Sequence, residues 1–81
     1  MKVLVQFYDK NGRELLGSDG AAIFSDLKTL KGVHRRLSHW PLRPSADSYK
    51  IFRTGPNFYD ESAYTLLDEG RVADLRARRG S

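Results

Sequence analysis

Cysteine is absent from the chain. That excludes a disulfide framework, Cys-ligated zinc, an iron–sulfur centre and thiol catalysis. Long hydrophobic runs are absent too. The longest near the start, Val3-Leu4-Val5-Gln6-Phe7-Tyr8, is short for a signal segment and leads into charge, not into a small-residue cleavage site. Nothing approaches the roughly 20 apolar residues of a membrane span. The expectation is therefore a cytoplasmic protein with no membrane association.

Signatures of chemistry are missing as well. No HExxH or comparable metal spacing occurs, and no Gly-Lys-Ser/Thr phosphate loop. His34 and His39 stand five apart, about 140° around a helix, so they cannot share a metal from one face. The Asp60-Glu61 and Asp68-Glu69 pairs are neighbours in sequence, and strand neighbours point to opposite faces, so neither makes an acid/base dyad. None of the serines sits in a nucleophile elbow. The expectation is a protein that is not an enzyme, with no catalytic residue, metal, cofactor or small-molecule ligand.

What is present is an ordinary globular balance: 81 residues with 40% hydrophobic and 30% charged side chains. A chain of this size makes one small domain with a thin stability margin, burying roughly 60% of its unfolded surface. We expect one α+β domain over residues 1–70 and a basic, flexible tail over 71–81.

The net charge of +4 is segregated along the chain. Residues 25–54 hold Lys28, Lys31, Arg35, Arg36, Arg43, Lys50 and Arg53 against Asp26 and Asp47. Residues 55–70 hold Asp60, Glu61, Asp68 and Glu69 with no base, and the last residues hold Arg71, Arg76, Arg78 and Arg79 against Asp74. Such a pattern means pairing between segments, or a surface with a basic and an acidic side.

Residues 2–8 alternate as a strand, with Val3, Val5 and Phe7 on one side and Leu4, Gln6 and Tyr8 on the other. Asn11-Gly12 signals a hairpin turn, returning along residues 13–17. Gly17-Ser18-Asp19-Gly20 reads as a bend or bulge; an acid stands where a nucleotide-clamping GxxG loop would meet phosphate. In helical phase Leu27, Leu30, Val33, Leu37 and Trp40 fall within an arc of about 140°. Extending that helix backwards would bury Asp26, so Asp26 is expected as its N-cap and residues 21–24 as strand. Pro41 ends the helix. Two further strands are expected at Tyr49–Arg53 and Ala63–Leu67, separated by a long turn around Gly55-Pro56-Asn57. The predicted architecture is α+β with ββαββ order: two β-hairpins form an antiparallel sheet, and one amphipathic helix packs on one face.

Two surfaces of this arrangement suggest binding. Opposite the apolar arc lie Lys28, Lys31, Arg35, Arg36 and His39, with Arg43 in the loop beyond. Four fixed cations and no carboxylate on one helix face suit a phosphate backbone or an acidic protein surface, and these six residues are the candidate contacts. Any docked helix also turns polar residues outward, so the pattern is equally that of a solvated face. The second surface is the sheet face that one helix leaves uncovered, carrying some of Leu4, Tyr8, Tyr49 and Phe52 according to register. The aromatic-rich run of an RNA-binding sheet is absent, so these side chains read as core or cross-strand pairs. The leading expectation is a protein-binding or adaptor module that engages a protein partner or self-associates as a homodimer. The alternative is nucleic-acid binding through the basic helix face.

Overall fold

The alternation in residues 3–8 resolves as anticipated. In the computed structural model, which describes residues 2–15, 20–42, 44–55 and 60–79, Val3–Tyr8 form strand β1. Val3, Val5 and Phe7 are fully buried, and Leu4, Gln6 and Tyr8 are half-buried on the other face.

The turn after β1 is built differently from the two-residue hairpin that Asn-Gly suggests. The Asp9 carboxylate accepts from the amides of Asn11 and Arg13, at 2.8 and 3.0 Å, and the Asp9 amide donates to the Arg13 carbonyl. Among the described residues Gly12 alone takes a positive φ, at 80°. An Asp side chain closing a wider loop removes the need for Asn11 to adopt the left-handed region. Of the return strand expected over 13–17, residues 16 and 17 lie outside the described residues, and residues 13–15 form an isolated bridge and not a continuous strand. Glu14 bridges Tyr8, the Leu15 amide donates to the Phe7 carbonyl, and the Phe7 amide in turn donates to the Gly20 carbonyl. Residues 15 and 20 thus meet the same strand position. The Gln6 side-chain amide reaches the carbonyls of Leu15 and Gly20 and ties the base of this excursion together. Only glycine fits at position 20, because a Cβ there would overlap the Leu15 carbonyl oxygen. The rest of the GxxG run lies outside the described residues.

Ala21–Phe24 are a strand, β2, as expected, antiparallel to β1 with Leu4 opposite Ile23. The helix, α1, spans Leu30–Ser38 and starts later than predicted. Its N-cap is Thr29, not Asp26: the Thr29 hydroxyl accepts the Gly32 amide at 3.1 Å. Asp26 lies before the helix and accepts instead from the Arg36 guanidinium at 3.2 Å. The apolar arc still packs as a unit. Val33 and Leu37 are buried, and Leu27, Leu30 and Trp40 pack against the core from either end. Trp40 meets Phe24 edge to face, with ring centroids 5.1 Å apart.

Strand β3, Ser48–Arg53, buries Tyr49 and Ile51 and pairs antiparallel with β1. A short 3₁₀ turn, Glu61–Ala63, precedes β4, which spans Thr65–Arg71. The predicted Ala63–Leu67 strand was thus set too early, ending before the acidic pair that β4 includes. A bulge explains the difference. Ile51 faces Asp68 while Phe52 faces Leu66, so Leu67 is the extra residue. Asp68 then falls on the helix side of the sheet, where His34 satisfies it. Glu69 falls on the other side, opposite Lys50.

The ββαββ order is extended by a second helix, α2, over Val72–Arg79, where a frayed tail was expected. Val72 and Leu75, three apart on one helix face, are both in the core, and α2 packs beside α1. The Val72 amide donates to the Asp47 carbonyl at 2.9 Å and holds the first turn in place. The four-stranded antiparallel sheet has the order β2-β1-β3-β4. Its Val3, Val5, Phe7 and Ile51 side is covered, and its opposite side carries neither helix.

Candidate functional site

Lys31, Arg35 and Arg36 stand on α1, His39 caps its end, and Lys28 precedes it, because α1 begins at Leu30. Lys28, Lys31, Arg35, Arg36 and His39 are all exposed; Arg43 lies outside the described residues. A shallow groove of about 430 Å³ runs along this surface, lined by Leu27, Gly32, Arg35, Arg36 and His39. Lys28 and Lys31 adjoin two of the lining residues in sequence.

The five basic side chains are not equivalent. Arg36 donates to Asp26 and lies over the Phe24 ring, 5.5 Å from its centroid. The same hydrogen bond from Arg36 holds the Asp26 carboxyl below its ordinary value. This pair is solvated and contributes little to stability. It does place one carboxylate beside a face that the sequence read as purely cationic. Lys28, Lys31, Arg35 and His39 have no carboxylate within ion-pair distance among the described residues.

His34 belongs to the opposite side of the helix. Its Nε2 lies 2.6 Å from an Asp68 oxygen, and its ring meets Tyr49 edge to face. With only 15% of the His34 side chain exposed, this bond clasps α1 to β4 and is not part of the groove.

The uncovered sheet face carries a surface that sequence reasoning only partly found. Leu4, Tyr8 and Phe52 lie there, whereas Tyr49 is buried against the helices. The strand register aligns Ile23, Leu4, Phe52 and Leu66 in one row across all four strands. The two ends of the row are the most open, Ile23 at 53% exposure and Leu66 at 49%. Tyr64 stacks on Phe52 at a tilt, with centroids 5.9 Å apart. A groove of about 260 Å³ runs over this face, lined by Leu4, Gln6, Tyr8, Glu14, Phe52, Glu61 and Tyr64.

Both tyrosines of this groove are held above the usual phenol value, first by burial and then by carboxylates: Glu14 and Glu69 for Tyr8, Glu61 and Asp60 for Tyr64. The groove thus has aromatic side chains and two carboxylates, Glu14 and Glu61, in its lining. Lys50 on the same face sits opposite Glu69 with its Nζ 5.3 Å from the Tyr8 ring centroid. No local pattern in the sequence marks Glu14, Glu61, Ile23, Tyr64 or Leu66 as neighbours. They meet only through pairing between distant strands.

Among the described residues no helix is long and apolar enough to cross a membrane. The fold defines a small α+β protein with a basic groove on its helical side and an acidic aromatic groove on its sheet side. Compared with protein family models, characterised proteins and solved structures, the chain has no match.

Proposed function

We propose that this chain is a non-enzymatic protein-binding module of the cytoplasm, which engages an acidic segment of a partner protein along α1. The observation that carries the reading is that Arg35 and His39 line an open groove, with Lys28 and Lys31 next in sequence to its lining residues Leu27 and Gly32, all four without carboxylate partners among the described residues. Ordinary solvated surfaces mix both signs. Unpaired cations around a concave surface favour an anionic ligand and speed its encounter. Arg36, paired with Asp26 and lying over Phe24, is one wall of the groove, and Arg35 and His39 are the unpaired basic lining residues among those described. A glutamate-rich peptide titrated into the protein tests this. Amide shifts confined to residues 27–39, with affinity lowered about tenfold in a Lys31→Ala, Arg35→Ala variant, support the reading; a peptide that shifts no amide of α1 defeats it.

A second reading, nucleic-acid binding, is favoured by the packing of α2 beside α1. Helix α2 spans the Arg-rich stretch of the sequence. Contacts to phosphates predict log affinity falling linearly with log salt, and a shallower slope in the Arg35→Ala variant. Absence of any mobility shift at low salt removes it.

A further inference from the structure

We infer that the partner fitting the basic groove of α1 is the acidic aromatic groove on the sheet of a second copy, so that the protein associates head to tail. This rests on the reading above and names its partner. The two surfaces are complementary in charge. One offers Arg35, Arg36 and His39, with the exposed Lys31 next to the lining residue Gly32; the other offers Glu14 and Glu61 beside Leu4, Phe52 and Tyr64. They are also complementary in length. From Lys31 to His39 α1 rises about 12 Å, and from Leu4 to Tyr8 the strand advances about 13 Å.

The chemistry of contact is specific. Long Lys and Arg stems lie along apolar and aromatic surface while their charged ends reach carboxylates, and an aromatic face itself attracts the cation. Lys50 over Tyr8 shows this mode already in use on the same face. A helix laid on the bare side of the sheet would also give β1 and β3 the second covering layer that the fold lacks.

Geometry fixes the kind of assembly. The two grooves lie on opposite sides of the sheet, so the contact is heterologous and each added copy presents a fresh surface. Four strands of about six residues span roughly 400 Å² per copy, or roughly 800 Å² per contact, below the range of stable complexes. The association is therefore weak, salt-sensitive and open-ended.

Sedimentation of the full chain at low salt, up to millimolar concentration, tests this with two charge-reversed variants. One carries Lys31→Glu and Arg35→Glu; the other carries Glu14→Lys and Glu61→Lys. All four positions are exposed, and circular dichroism confirms that each variant folds. The expected result is growth of the natural chain beyond a dimer, its association weakened tenfold or more by raised salt. Each variant alone stays monomeric. Their mixture associates again, because the intact groove of each copy meets the intact groove of the other and the two reversed grooves are themselves opposite in charge.

A closed dimer that both variants retain overturns the inference, since it marks a symmetric contact through the Ile23–Leu4–Phe52–Leu66 row. A natural chain that stays monomeric throughout also overturns it. If that monomer still shows α1 amide shifts with the glutamate-rich peptide, binding of an acidic partner stands without self-association; if it does not, both readings fall.

Discussion

The two faces of this sheet are made by alternate residues of the same strands, yet they behave as different materials. On the helix side Val3, Val5, Phe7 and Ile51 are closed off from water completely. On the bare side Leu4 and Phe52 are only half-covered, and the row they belong to opens further at Ile23 and Leu66. Strand periodicity assigns each side chain to a face, but only the layer above decides whether that face holds the fold together or stays available for contact. In so small a protein the single covered side must supply nearly all of the hydrophobic stabilisation.

Breaking the covered side should have the largest effect. Phe7→Ala empties a fully buried site and is expected to cost about 3–5 kcal/mol, measured by denaturant unfolding. A cost under about 1 kcal/mol would mean that the two faces do not differ as described. Next is the clasp between the helix layer and the edge strand. Asp68→Asn replaces a carboxylate bonded to His34 with a neutral amide, and a loss of about 1–2 kcal/mol is expected. Gly20→Ala should cost more than about 1 kcal/mol, because the added Cβ meets the Leu15 carbonyl and forces the excursion after Leu15 apart. An unchanged unfolding midpoint would show that this close approach is not maintained.

On the bare face the same kind of truncation should scarcely register. Leu66→Thr is expected to stay within about 0.5 kcal/mol, since half of that side chain is already in water. The smallest effect is alkaline. Tyr8 and Tyr64 are raised above 10.0, so the folded state keeps their protons after the unfolded state begins to release them. Their contribution is complete below pH 10 and is lost as pH rises through the folded values. A Tyr8→Phe, Tyr64→Phe variant should therefore lose stability less steeply above pH 10; an unaltered slope would count against the burial of these phenols beside carboxylates.

Much of the covered layer was legible in the sequence because its signals are local. The alternation in residues 3–8, the apolar phase of α1 and the strand character of residues 21–24 each rest on neighbours along the chain. The failures share a different cause. Asp26 looked like a cap by helical phase, but Thr29 stands one turn nearer and its hydroxyl suits the Gly32 amide. Val72 and Leu75 are too few to announce a helix, and α2 exists by docking on α1 and by its bond to Asp47. The basic groove was visible as a run of cations at helical spacing. The acidic groove was not, because Glu14, Glu61 and Tyr64 come together only after three strands have paired.

One extra leucine governs more than its own position. Had Leu67 been an ordinary strand residue, every side chain beyond it would have faced the other way: Asp68 into solvent, Glu69 into the apolar interior, and Gly70 away from the Tyr49 hydroxyl that now fills its space. Losing Leu67 altogether would only close the bulge and leave both surfaces as they are, so it is the unpaired state of this one residue, not its side chain, that keeps Asp68 beneath the helix and Glu69 on the bare face.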